Sequence, residues 1–369
     1  MAACVVVAWL PNSPLPPTDG GRPHGQDELG VLFVGLLAAA FACYLAGLWA
    51  VRRGMRFTVV FALACAIQLA PLAAPLLISS DAWTYWSYAR LHDPYRQTPS
   101  DDPVSAPHAG AAYLHTTSVY GPAFGLLSKP TALVDSAGVA AWIFKSAAAL
   151  CVLATTWLVA RRRPFAAALV GWNPVVAVHF AGGGHNDALM VVLLAAALAL
   201  GETGRVQSAG AAWSLGSLVK WVPLVVLPLR ALEARATGRR VGHGGFALMT
   251  AATLVLATVL WRFHWLHAVV PLAHDAARET SYALPHRTHL SPWLFAAGYA
   301  VAYAWLLREA NRGRARSGLA LALLLVSLPY LTAWYVLWPL ALSARDDDRT
   351  AIVITLALCA YLLPQRIPV

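Results

Sequence analysis

The stretch 137-AGVAAWIFKSAAALCVLATTWLVARRRPFAAALVGWNP-174 decides what kind of protein this is. Residues 137–160 are an apolar run interrupted only by Lys145. At about 1.5 Å per residue, such a helix reaches across the roughly 30 Å hydrocarbon core of a bilayer. Arg161 to Arg163 end the run, and a second apolar run begins at Pro164. A crossing, a basic hairpin and a return crossing describe a helical membrane protein, because in lipid every backbone polar group needs an internal partner.

Working outward, the same pattern fills the chain. Further apolar runs lie near 31–50, 56–78, 185–201, 206–219, 221–232, 244–261, 291–307, 317–332, 333–344 and 350–364. The expected fold is all-α, a polytopic transmembrane helical protein with about eleven to thirteen spans. Composition agrees: 59% of the 369 residues are hydrophobic and 12% are charged, with a mean hydropathy of +0.59. Soluble domains carry about twice that charged fraction, and no room remains for a sizeable soluble domain.

The net charge of +10 would suggest nucleic acid in a soluble protein. Here the positions of the cations report topology instead. Arg52, Arg53, Arg56, Arg161 to Arg163, Arg205, Arg230, Arg235, Arg239, Arg240, Arg308, Arg312, Arg314, Arg316, Arg345 and Arg349 all fall on one face when the spans are threaded alternately. The positive-inside rule makes that face cytoplasmic. Cys4, Cys43, Cys65, Cys151 and Cys359 show no paired spacing and read as small buried hydrophobes. Residues 1–10 are apolar but too short to span, and they lack the basic start of a cleaved signal peptide.

Two long loops, 79–119 and 262–290, lie on the opposite, outer face and are rich in His, Asp, Tyr and Trp. Long polar loops are uncommon unless they work. The first begins 79-SSDAWTYWSYARLHDPY-95. On a helix, Asp81, Tyr85, Tyr88 and His92 share one face, and Trp83, Trp86 and Arg90 another, as in a helix lying at headgroup level. Ser80 or Asp81 capping the helix is one reading; a carboxylate held as a base at the membrane edge is the other. Asp93 before Pro94 suits a turn, and Asp101 with Asp102 a solvated loop. Lys129 after 120-YGP-122 suits a phosphate ligand or a cation snorkelling to the surface.

The segment 172-WNPVVAVHFAGGGHNDALM-190 carries a helix-breaking Asn173-Pro174, His179, three glycines, and His185-Asn186-Asp187 opening a new helix. Glycines permit close backbone approach, and a helix start suits a phosphate. A simple Asn or Asp cap explains Asn186 or Asp187 but not His185 with three glycines. Lys220 interrupts an apolar run, which makes it a functional candidate or a snorkelling side chain. In the second loop, His264-x-x-His267 lacks the Cys or carboxylate partners of a zinc site. Its cations fit a phosphate better, with Arg262 and Arg287 preferred. No residue pattern requires a cofactor, and a divalent metal is left open.

Taken in order, Asp81 with Tyr85, Asp93-Pro94-Tyr95, Tyr120-Gly121-Pro122, Asn173-Pro174 with Gly183-Gly184-His185-Asn186-Asp187, and Lys220 with Pro223 resemble a known pattern. The chain resembles the GT-C class of integral-membrane glycosyltransferases. More narrowly, over about residues 56–340, it is similar to the actinobacterial polyprenol-phosphate-mannose-dependent mannosyltransferases that build lipomannan-type lipoglycans. The resemblance implies one integral-membrane catalytic domain across 1–369, in the plasma membrane, with its cavity open to the outer face. It implies a polyprenyl-phosphate sugar donor, mannose foremost, and a glycolipid or lipoglycan acceptor. Asp81 matches the position of the general base in that class. His185, Asn186, Asp187, Lys220, Arg287 and Tyr120 would hold the donor phosphate and sugar. Tyr85, Tyr88, Asp93, Tyr95, Lys129 and Arg262 would support the acceptor. Another lipid-linked sugar such as arabinose, or a lipid-linked sugar flippase, are the alternatives.

Overall fold

The computed structural model describes residues 1–17 and 27–368. Every apolar run named above contains a helix, and among the described residues every regular element is helical. Asp27–Val51, Ala137–Ala160 and His243–Trp261 are each long and apolar enough to cross a membrane. Pro164–Gly171 and Pro174–Gly182, bent by 48° at the break between them, pass the same test only when taken together. Other runs are shorter, including Phe57–Ala73, Ser317–Ser327 and Arg349–Tyr361. The expected count of spans therefore includes short and broken helices.

The run at 56–78 shows why. Its α-helix stops at Leu69, tightens over Ala70–Ala73, and the chain then leaves helical geometry. Pro71 and Pro75 lack the N–H that a continuing helix would donate. The carbonyls left open are taken by Lys145, buried in the Ala137–Ala160 helix, whose Nζ donates to Leu72, Ala74 and Pro75. The intramembrane lysine is thus a cap for a neighbouring helix. Residues 1–10 form a short helix, Ala2–Trp9, packed beside this turn, with the Trp9 indole donating to the Ala73 carbonyl at 2.8 Å.

Small residues bring the central helices together. Ala140, Ala148 and Ala149 on one helix, Ala166 to Ala168 on the next and Ala195 on a third are all buried. Without a hydrophobic drive between helices in lipid, close backbone approach supplies the packing energy. The outer surface is the reverse, with Trp142, Leu150, Trp157, Leu248, Val255 and Val259 exposed. A soluble protein would hide such a surface.

The arginine-bearing loops meet at one end of the bundle. Arg163 donates to the Ala344 and Arg345 carbonyls, and Arg345 pairs with Glu202 at 2.7 Å. Arg230 pairs with Asp346, and Arg316 grips both oxygens of Asp348. Asp81, His185 and Lys220 lie at the other end: the Asp187–Glu202 helix, about 22 Å long by its residue count, runs between the two. Alternate threading of the spans, read from the arginines, is what this arrangement requires. In a cysteine-free background, a single cysteine at Thr237 and one at His286, both exposed, are expected to react with an impermeant maleimide from opposite sides of a sealed vesicle. Labelling of both from one side would break the topology.

Candidate active site

The helix Asp81–Arg90 begins right after a strained turn. Ile78 has φ +66°, a left-handed conformation that a β-branched residue rarely adopts. Such strain costs about 1–3 kcal/mol and persists only where the surroundings enforce it. Here the Leu77 N–H donates to the Gly182 carbonyl at 3.0 Å and the Ile78 N–H to the Leu15 carbonyl at 2.7 Å. The two peptide groups leading into Ile78 are therefore pinned, and the Ser79 N–H after it donates back to the Leu77 carbonyl at 2.7 Å.

Neither capping candidate caps. Ser80 precedes the helix but its side chain makes no cap hydrogen bond, while Ser79 Oγ accepts the Asp81 N–H at 3.2 Å. The Asp81 carboxylate is thereby left for another partner. Its Oδ2 lies 3.1 Å from Nδ1 of His185. A carboxylate only accepts, so His185 donates through Nδ1. The imidazole is fully buried and stacked on Trp334, with ring centroids 3.8 Å apart and planes at 13°. Burial alone would raise the Asp81 carboxyl pKa. The hydrogen bond and charge of His185, the Arg366 guanidinium and Ser79 outweigh burial and hold it at about 2.

The expected headgroup-level helix is instead embedded in protein. Trp86 and Tyr85 are buried, the Trp83 indole donates to the Ala137 carbonyl at 3.0 Å, and that of Trp86 to Val134 at 2.9 Å. The tryptophans fasten this helix to the start of Ala137–Ala160, because their N–H groups reach the carbonyls there. Tyr85 packs edge-on against Tyr120, Phe124 and Phe144.

The second contributor is the helix break at 178–187. Asn173 caps the short helix Pro174–Ala177 through its Oδ1, and the chain continues into a wider π-helical turn, Val178–Gly182, that contains buried His179. Such turns occur often at functional sites. The glycines serve packing within the protein. Gly184 has φ +73°, and a Cβ on it would sit 3.2 Å from that of Ala82. The next helix starts at Asp187, and the Asn186 N–H before it points to the Tyr85 hydroxyl at 3.4 Å. His185 and Asn186 are buried at this helix start, where His185 Nε2 and both side-chain polar atoms of Asn186 have no hydrogen-bond partner among the described residues.

Asp187 is buried, and its Oδ1 accepts from Lys220 Nζ and from the Trp338 indole, each at 2.7 Å. Lys220 occupies the gap between helices Val206–Val219 and Pro223–Ala236, with Nζ 4.8 Å from the Tyr335 ring centre. Beside it, a Cβ on Gly121 would fall 2.0 Å from the Leu218 carbonyl oxygen. Only glycine lets the Tyr120-Gly121-Pro122 turn lie against the end of that helix.

These groups line a cavity of about 220 Å³. Asp81, Tyr85, Tyr120, Asp187 and Lys220 line it, together with Tyr113, Tyr330, Trp334, Tyr335 and Trp338. The second long loop closes one side through Trp265, Leu266, Val269 and Asp275. Asp93 braces that closure by pairing with His264 Nδ1 at 2.5 Å, and its Oδ1 also takes the Tyr95 N–H, as a turn former does.

Other expected site residues lie elsewhere. Tyr88 donates to the Thr116 carbonyl and Tyr95 to that of Tyr120, so both hold the first loop in shape. Lys129 donates to the Leu91 carbonyl at 2.6 Å, ending the Asp81–Arg90 helix, which is neither of its anticipated roles. Asp102 is not simply solvated, because it pairs with Arg90 at 2.7 Å. Arg262 and Arg287 are exposed and outside the cavity lining. Lys220 is the cation in the lining; among the arginines, Arg366, itself exposed and outside the lining, lies next to it, with its guanidinium carbon 5.1 Å from the Trp334 ring centre and Nη2 3.5 Å from the Tyr330 hydroxyl. Only its position in a polar break, 364-PQRIP-368, marked it in the sequence.

An all-helical bundle with helices apolar and long enough to cross a membrane is consistent with the GT-C class of integral-membrane glycosyltransferases. A family described as "Alpha-(1->6)-mannopyranosyltransferase, N-terminal domain" matches residues 1–235, and "Glycosyltransferase family 87" matches residues 119–364. The chain belongs to these overlapping glycosyltransferase families, each covering more than half of it. It is 29% identical, over 332 residues, to Alpha-(1->6)-mannopyranosyltransferase A of Mycobacterium tuberculosis (strain ATCC 25618 / H37Rv). That alignment covers 75% of this chain and 63% of the relative, so the chain spans less than two thirds of the relative's length. No solved structure matches.

Two outcomes follow from the site's electrostatics. Removing one partner of a buried ion pair strands the other and costs about 3–5 kcal/mol. Lys220→Met is therefore expected to lower the melting temperature in detergent clearly more than the double substitution Asp187→Asn with Lys220→Met. An equal loss in both would show that the pair is uncoupled. For Asp81, the folded carboxyl lies below its unfolded value, so ionisation stabilises the fold above the unfolded pKa and this is lost as pH falls toward 2. The stability difference between wild type and Asp81→Asn is expected to be flat between about pH 5 and 8 and to shrink below about pH 4. A difference that changes across neutral pH would count against this.

Proposed function

We propose that the protein transfers a sugar, mannose foremost, from a polyprenyl-phosphate donor to a glycolipid or lipoglycan hydroxyl at the outer face of the plasma membrane. One observation carries the reading. Asp81 is a cavity-lining carboxylate held ionised and oriented through one oxygen by a buried histidine, while its side chain stays 16% accessible. The neighbouring Asp187 already accepts from Lys220 and Trp338 through its Oδ1.

In this reading Asp81 takes the proton of the attacking acceptor hydroxyl as that oxygen bonds to the sugar C1. The C1–O bond to phosphate breaks, and its electron pair leaves on the lipid phosphate. His185 keeps the carboxylate in place through Nδ1. Arg366 and Lys220 face the departing phosphate and stabilise its charge. Arg366 thus takes the role that the sequence assigned to Arg287. The aromatic wall of Tyr85, Tyr120, Tyr335 and Trp338 offers flat faces to the apolar sides of sugar rings. The relative's printed name supports mannose as the transferred sugar.

The test is transfer in lipid from polyprenyl-phosphate mannose to an oligomannoside. Asp81→Asn is expected to lower kcat by roughly 10²–10⁴-fold, the contribution of a positioned base. Arg366→Gln is expected to raise the donor KM while Arg287→Gln changes little. Wild type that transfers to no acceptor sinks the enzyme reading; full activity in Asp81→Asn sinks the base.

A further inference from the structure

A second cavity, of about 380 Å³, opens at the arginine-rich end of the bundle, opposite the end that holds Asp81. Its walls are apolar, built from Trp213, Leu227 and Phe246, and its polar lining includes Arg230, Arg239, Arg240 and Arg345. It lies beside the first turn of His243–Trp261, one of the membrane-crossing helices. That is the depth at which lipid headgroups meet acyl chains.

The charge there does not balance. Arg345 is 2% exposed, and its Nη2 pairs with Glu202, but the same carboxylate also pairs with Arg161. The Nη1 of Arg345 is buried and has no hydrogen-bond partner, and neither has Nε of Arg230. Glu233 and Asp346 are already engaged by Arg230. Arg239 and Arg240 are exposed on the cavity lining and form no ion pair among the described residues. Arg161, Arg230, Arg239, Arg240 and Arg345 thus face only Glu202, Glu233 and Asp346. A buried guanidinium with an unused donor costs free energy until an anion meets it.

We propose that this cavity binds an anionic lipid, its phosphate against Arg345, Arg239 and Arg240 and one acyl chain along Trp213, Leu227 and Phe246. A free phosphate would leave the apolar wall unused, and an uncharged lipid would leave the guanidinium groups unmet. The site is independent of the sugar chemistry at the far end, although the Asp187–Glu202 helix contributes a residue to each.

The full chain in phosphatidylcholine nanodiscs is to be photolabelled with phosphatidic acid carrying a diazirine on its acyl chain, and the adducts mapped. Labelling is expected within residues 206–246. It should be competed by unlabelled phosphatidylglycerol and fall about tenfold in Arg345→Gln, the worth of a charge-assisted hydrogen bond. The exposed pair Arg239→Gln with Arg240→Gln should fall similarly and decides the matter if Arg345→Gln does not fold. Equal labelling by an uncharged diacylglycerol diazirine, displacement by inorganic phosphate alone, or undiminished labelling of the exposed-pair variant would each overturn the site.

Discussion

Two chain segments more than a hundred residues apart meet in the 3.1 Å contact between Asp81 and His185, and the end of the bundle opposite the arginine loops is organised around that meeting. Both segments are places where a membrane helix is interrupted. Lipid tolerates broken backbone only where protein satisfies the freed groups. One break donates the Leu77 N–H to the carbonyl of the other, at Gly182. Each break therefore supplies the partner that the other needs.

The charges obey the same constraint. Lys145 is used by carbonyls, Asp187 by Lys220 and Trp338, and Arg345 by Glu202. Asp81 shares the wall of one cavity with the Asp187–Lys220 pair, and its own partner there is an imidazole. The aromatic lining keeps the local dielectric low, which strengthens every interaction between fixed charges and a ligand. A lipid-borne substrate can enter such a site without leaving the membrane.

How much of this was legible in the sequence differs by element. The helical runs and the common end of the arginine loops were, since both follow from local composition and from the cost of charge in lipid. Asp81 and the 182–187 stretch stood out because a carboxylate and a histidine beside glycines are costly at a membrane edge. Their roles were less readable. The glycines were read as a ligand cradle but are spacers against Leu77, Ala82 and the His185 ring. Lys129 was weighed as a phosphate ligand or a snorkelling cation, yet it closes a helix end. The tryptophans of the first loop were read as a float and prove to be buried anchors.

The sequence by itself determined where the chain crosses, where it breaks and which end carries the positive charge, because each depends on neighbouring residues and on the bilayer as solvent. Only the tertiary structure decided the partners. It joined Asp81 to His185 and Asp187 to Lys220, and it brought Arg366 rather than Arg262 or Arg287 next to the cavity lining. The physical reason is that partner choice for a buried charge depends on distances set by packing across the bundle, and no local pattern encodes which cation the last turn of the chain will carry to the site.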